Sequence, residues 1–233
     1  MARGEAVALG AHERKLVLAA MCVALATVVS AVSSLNVALP DLARDLHATQ
    51  TELQWIVDAY ALVFAGLLLL AGALGDSIGR RPVLLAGLAV FAAAAGVAAF
   101  AHDPTALIAD RAVMGLGAAA IMPSTLSIIT TVFPADERER AVSIWAGVAG
   151  ASALLGLLVS GTVVEAWSWQ GVFAFNGALA VIALVAAARV APNSRADRAR
   201  LDGVGGLLSA LGLSALVYGI IEGPARGREG AEC

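Results

Sequence analysis

The stretch Gly72-Ala-Leu-Gly-Asp76-Ser-Ile-Gly79-Arg80-Arg81-Pro-Val-Leu84 joins two long apolar runs through very few residues. Each of its polar positions has a physical consequence. Gly79 permits a backbone conformation denied to other residues, and Pro82 suits the first turn of a following helix. A tight turn carrying positive charge explains Arg80 and Arg81. It does not explain Asp76, which falls at the C-terminal end of the preceding helix, where the macrodipole disfavours an anion. Asp76 therefore calls for a specific cationic or N–H partner.

The composition around this turn is that of a chain solvated by lipid. Of the 233 residues, 60% are apolar and 14% charged, and the mean hydropathy is +0.84. Soluble domains have about 45–50% apolar and about 25% charged residues. The net charge of -3 and the lack of a basic cluster interleaved with aromatics give no nucleic-acid surface. Cys22 and Cys233 have no disulfide logic. His12, His47 and His102 show no metal-ligand spacing, so neither a metal nor a cofactor is expected.

Seven apolar runs are long enough to cross a bilayer: Leu16–Leu35, Gln54–Leu74, Val83–Ala101, Ala106–Val132, Ala141–Val164, Val172–Ala188 and Val204–Ile221. The first follows Arg14 and Lys15 as in a signal peptide. Its length of about 20 residues makes it a retained span. Lipid offers no partner to an unpaired N–H or C=O, so continuous helices are required. A transmembrane barrel would instead show alternating strands of about ten residues. With the N-terminus in the cytoplasm, eleven of the fifteen Arg and Lys residues fall on the cytoplasmic side and three on the other, with Arg111 inside a span. That asymmetry predicts a multi-pass plasma-membrane protein with a cytoplasmic N-terminus. The segment Pro192–Asp202 is polar and long, dividing the chain into a six-span block (1–190), a linker (191–202) and a seventh span with a short tail (203–233).

The turn resembles the G-x-L-x-D-x-x-G-[RK]-[RK] loop of the major facilitator superfamily, with Ser77 where the family commonly has arginine. Other segments are similar to the fourteen-span drug:proton antiporters of that superfamily. They are Leu35-Asn36-Val-Ala-Leu-Pro40, Gln54-Trp-Ile-Val-Asp58-Ala-Tyr60, and the helix Arg111-Ala-Val-Met-Gly115-Leu-Gly117-Ala-Ala-Ala-Ile-Met-Pro123-Ser124. Phe133-Pro134, Trp167-Ser168-Trp169, Phe175-Asn176 and Leu208 through Gly219 follow in the family's order. The resemblance covers nearly the whole chain. It implies an all-α membrane protein: the N-terminal six-helix bundle plus a seventh helix. It also implies that Gly72, Asp76, Gly79, Arg80 and Arg81 form a cytoplasmic gate, with Asp76 and Arg80 in a charge network against the other half.

Charge inside the membrane marks the candidate site. A guanidinium at the centre of a span costs about 2.5–3.5 kcal/mol on insertion scales. Arg111 is therefore expected either to face a wet cavity or a carboxylate, or to snorkel to the outer interface. The family's matching arginine is implicated in proton coupling. Asp58 is the best-placed intramembrane carboxylate; it reads as a proton-coupling group, or as an interfacial residue comfortable near a helix N-terminus. Asn36 joins Arg111 and Asp58 as a coupling or cavity candidate. The antiporters often carry an acidic residue five positions before this Asn, and here that position is Ala31. The neighbouring Thr27, Ser30, Ser33 and Ser34 are read as cavity-lining, with back-bonding to helix carbonyls the alternative.

Small residues at Gly115, Gly117, Gly147, Gly150, Gly156, Ser160 and Gly161 predict close helix packing. Span five lacks the proline of the family's G-P-x-x-G-G motif, which removes the sequence basis for a kink there. Gln170 stands where an arginine usually follows Ser-Trp.

The expectation from these residues is a transporter, a proton-coupled exporter of small amphipathic molecules, with the bilayer, the small-molecule substrate and the proton as partners. Only one bundle is encoded before Cys233, so a truncated half is expected, completed by a separate C-terminal half or a second copy. A non-exporting facilitator or an inactive fragment is the alternative. A seven-span retinal receptor is disfavoured because the sole lysine is Lys15. A membrane enzyme is disfavoured because no nucleophile–base pair or phosphate-cradling loop is present.

Overall fold

The structure, a computed structural model, describes residues 9–193 together with Gly205, Leu208 and Gly212. Six helices follow one another: α1 (Ala11–Asp45), α2 (Gln50–Ile78), α3 (Arg80–Ala98), α4 (Pro104–Val132), α5 (Ala135–Ala166) and α6 (Trp169–Val190). All six are long and apolar enough to cross a membrane, and they correspond in order to the first six expected spans. The seventh, Val204–Ile221, lies outside the described residues apart from the three named, as do most of the linker and the tail to Cys233.

Except at the C-terminal end of α3, which stops at Ala98 where the run was expected to reach Ala101, the helices reach or pass the ends of the apolar runs, two of them with capped polar N-termini. Thr49 and Glu52 form a capping box at the start of α2: Glu52 N–H donates to Thr49 Oγ1 (3.3 Å) and Thr49 N–H to Glu52 Oε2 (2.8 Å). Asp103 caps α4 by accepting from Ala106 N–H at 2.8 Å, with Pro104 at the first helical position. The 35-residue α1 runs through Pro40, where span one was expected to have ended, and on to Asp45. Its polar tail is held by the Asp41–Arg44 pair and by Trp169, whose Nε1 donates to Asp45 Oδ2 at 3.1 Å. α5 runs without a break, as its lack of proline allows.

α1 and α4 form the middle of the bundle. α1 touches α2, α4, α5 and α6, while α4 touches α1, α2, α3 and α5. Met21, Leu25, Leu35, Ile56, Leu84, Leu88, Phe91 and Leu107 are buried in the core of the bundle. Leu69, Val97, Leu154, Leu158 and Ile182 point outward, as suits a surface facing hydrocarbon.

Three glycines set the helix spacing. A Cβ on Gly115 would lie 2.5 Å from Tyr60 O, one on Gly117 2.7 Å from Gly87 O, and one on Gly156 3.0 Å from Ser30 Cα. Ser160 is also fully buried. Gly161, expected in the same role, has nothing within 4 Å of its would-be Cβ, and the same holds for Gly147 and Gly150. Those three lie on sides of α5 that no described helix covers, so the close-packing stripe narrows to Gly156 and Ser160.

Candidate functional site

The cytoplasmic-motif turn is built around one backbone conformation. Gly79 has φ 117 and ψ 142 and closes α2 while opening α3. An L side chain rarely adopts that region. Across this break Asp76 accepts twice from Arg80 through Oδ1, from Nε at 3.1 Å and Nη2 at 2.9 Å. The anion at the unfavourable end of α2 thus has the cationic partner its position demands. Arg80 also reaches α4, where Nη1 donates to Thr131 Oγ1 at 2.7 Å and Ser127 O at 3.3 Å. Arg81 donates to Ala188 O of α6 at 2.6 Å, where helix carbonyls at a C-terminal end favour a cation. Gly72 and Gly75 face Pro123 and Ser124 at ordinary contact distance. The result is a clasp across α2, α3, α4 and α6 with a cavity of about 90 Å³ beside Asp76, Ser124 and Ser127. Ser77 donates only to Leu74 O of its own helix.

Arg111 occupies neither of its expected environments. It is 1% exposed, so it neither snorkels nor faces a wet cavity, and among the described residues it has no carboxylate partner. Its Nε donates to Ile56 O at 3.0 Å and its Nη1 to Ala31 O at 3.4 Å. Its guanidinium carbon lies 4.4 Å from the centroid of the Tyr60 ring, a cation–π contact strengthened by desolvation. Tyr60 is itself fixed by donating from its hydroxyl to Val28 O at 3.0 Å. A carbonyl bonded within its helix has a second lone pair, so α1 and α2 can solvate the cation without breaking. Ala31, where the antiporters often have an acid, here contributes its backbone oxygen.

The span-one hydroxyls form a helix joint, which corrects the cavity-lining expectation. Ser30 Oγ donates to Asn176 Oδ1 at 2.8 Å, and Asn176 Nδ2 donates to Ser34 Oγ at 3.1 Å and Val172 O at 2.8 Å. Ser30, Ser34 and Asn176 are all buried. Thr27 and Ser33 bond back to Val23 O and Val29 O. Ser30, Ser34 and Asn176 satisfy one another between α1 and α6, while Thr27 and Ser33 take the back-bonding alternative.

Asp58 and Asn36 stand apart from Arg111. Ile56 and Tyr60 face the arginine, and Asp58, two residues from each, points about 160–200° away around the helix. It is half-buried beside an open groove of about 510 Å³ between α1 and α2, near Gln50, Gln54, Leu39 and Pro40. Asn36 is exposed on α1 and donates to Val32 O at 3.4 Å. The three expected coupling residues are therefore not one cluster. Tyr60 and Asn176 were present in quoted segments without an assigned role. A polar side chain within an apolar run is the signal that marks Asn176; no sequence signal pairs Tyr60 with Arg111.

Comparison with known proteins places the chain in a family and a fold. The family described as Major Facilitator Superfamily matches residues 16–224. The methylenomycin A resistance protein of Bacillus subtilis (strain 168) is 36% identical over 84% of this chain and 42% of its own length. The cephamycin export protein CmcT of Amycolatopsis lactamdurans is 40% identical over 88% of this chain and 43% of its own. The multidrug efflux pump LfrA of Mycolicibacterium smegmatis is 42% identical over 68% and 32%. The chain thus spans less than half the length of these relatives. A solved peptide transporter with bound sulfate shares the fold at TM-score 0.69 and 16% identity, covering 95% of this chain and 47% of that one. With six membrane-length helices and a family match across most of its length, the chain is a multi-pass membrane protein that belongs to the Major Facilitator Superfamily.

Proposed function

We propose that the chain supplies the N-terminal bundle of a proton-coupled exporter of small amphipathic molecules in the cell membrane, with its N-terminus in the cytoplasm. The observation that carries this reading is the likeness of the chain, along most of its length, to proteins named for antibiotic resistance and export. Alternating access requires two bundles rocking about a shared site. The second is a C-terminal half or another copy of this chain. Orientation follows from the arginine and lysine asymmetry.

Within this reading the roles divide by chemistry. A guanidinium holds its proton at any physiological pH, so Arg111 carries no exchangeable proton; it braces α1, α2 and α4 at the depth where charge is most costly. Asp58, beside an open groove, is the carboxylate placed to take and release one. Asp76 and Arg80 form the cytoplasmic clasp that the second bundle engages.

The test uses inverted vesicles from cells producing this chain with the C-terminal half of the cephamycin export protein. Dye uptake driven by a pH gradient is expected, and loss of that uptake in Asp58→Asn and Arg111→Ala with membrane insertion intact. Undiminished uptake in both variants removes these residues from the mechanism. No uptake with the unaltered chain removes the exporter reading.

A further inference from the structure

We propose that the small cavity between α2 and α4 is a hydration site, in which bound water bridges the Ser124 hydroxyl to the Asp76 carboxylate. Ser124 is 3% exposed, and its Oγ has no hydrogen-bond partner among the described residues. Three other hydroxyls of α4 behave differently: Thr125 donates back to Met122 O, and Thr130 and Thr131 to Ser127 O. Leaving a buried hydroxyl unbonded forfeits the hydrogen bonds it makes in water. Ser124 therefore calls for a partner from outside its own helix. Its Oγ faces α2, where a Cβ on Gly75 would lie 3.8 Å away. Gly75 lacks that atom, and both residues line the same cavity of about 90 Å³.

The lining chemistry selects the occupant. Asp76, Arg80 and Ser127 line the cavity beside Ser124. Both bonds from Arg80 to Asp76 end on Oδ1, so Oδ2 keeps its lone pairs for another donor. Asp76 and Arg80 neutralise each other across 2.9 Å, and the pair's field therefore selects neither a cation nor an anion. An apolar guest would strand the hydroxyl and the carboxylate together. Water occupies about 30 Å³ per molecule and needs about two to four polar partners, so it suits both the volume and the lining. A water that accepts from Ser124 Oγ and donates to Asp76 Oδ2 satisfies both groups at once. Through it Ser124 is a positioning residue for the carboxylate that Arg80 grips.

The first test is water-to-protein polarisation transfer in solid-state NMR, on the whole isotope-labelled chain in lipid bilayers. Ser30 is the internal control, being 4% exposed with its hydroxyl bonded to Asn176. Early transfer is expected at Ser124 Cβ, and none at Ser30 Cβ at the same mixing time. The second test is reversible unfolding in mixed micelles. Ser124→Ala should lower the folding equilibrium constant about five-fold, the worth of about one hydrogen bond. In an Asp76→Ala background the same change should cost less than about two-fold, because the bridge has already lost its far end. A Ser124 that receives no transfer from water overturns the proposal. So does a Ser124→Ala variant as stable as the unaltered chain or more so, the result for a hydroxyl bonded to nothing or to its own helix. Full additivity of the two substitutions overturns the bridge to Asp76. Stabilisation by sodium over potassium, or by chloride over gluconate, at equal ionic strength overturns it as well, the cavity then being an ion site.

Discussion

Replacing Gly115 and Gly161 each by alanine makes one substitution in two settings. Both positions are helical, so both gain roughly 0.5–1 kcal/mol from leaving glycine. At Gly161 the new methyl meets nothing within 4 Å, and the helical gain stands alone. At Gly115 it lies 2.5 Å from Tyr60 O, with Tyr60 C and Cα at 3.2 Å behind it. These are backbone atoms, so no side chain can swing aside and α2 must move away from α4. Overpacking of this kind costs about 1–3 kcal/mol. The helical gain is common to both variants, so their difference isolates the contact and should be about 1–3 kcal/mol against Gly115→Ala. The shift also draws Ile56 O away from Arg111 Nε, one turn along the same interface. Reversible unfolding in mixed detergent micelles, followed by circular dichroism, gives the comparison. Equal midpoints for the two variants would refute the α2–α4 contact and the outward placement of Gly161.

Other outcomes follow from the same geometry. Asn176→Ala should destabilise the bundle by about 1–2 kcal/mol in the same unfolding assay, since interhelical hydrogen bonds in membranes average about 0.6 kcal/mol each. Tyr60→Phe keeps the ring beneath Arg111 and loses one hydrogen bond, so about 1 kcal/mol is expected; Tyr60→Leu also loses the cation–π contact and should cost roughly 2 kcal/mol more. Asp76→Asn should change stability by less than about 1 kcal/mol, because the pair is partly exposed. Its effect should instead appear as altered pH-driven uptake once the second bundle is present.

The six spans were legible because lipid demands unbroken apolar helices, and each described helix but α3 contains its expected run, α3 ending at Ala98 rather than Ala101. Their true ends were encoded differently, in caps such as Thr49-Gln-Thr-Glu52 that a hydropathy reading passes over. Asp76 was read as needing a cationic or N–H partner, because the macrodipole argument is local, and Arg80 is that partner. Arg111 was not read in this way. Its partners are two backbone carbonyls and a ring, about 51–80 residues away in sequence and without any charge to flag them. Ser30 and Asn176 failed to register as a pair for the same reason. Hydroxyls in a span look alike whether they line water or bind a distant amide, and only the packing of α6 on α1 decides between them. Gly161 looks like Gly156 in sequence, and helical phase alone separates them.

Whether Arg111 acts as a fixed brace or through its charge alone is decided by Arg111→Lys in the inverted-vesicle assay. Lysine keeps the charge but loses the planar fork that reaches Ile56 O and Ala31 O together and lies on the Tyr60 ring. A brace predicts that uptake falls as far in Arg111→Lys as in Arg111→Ala. Uptake restored by lysine would contradict it.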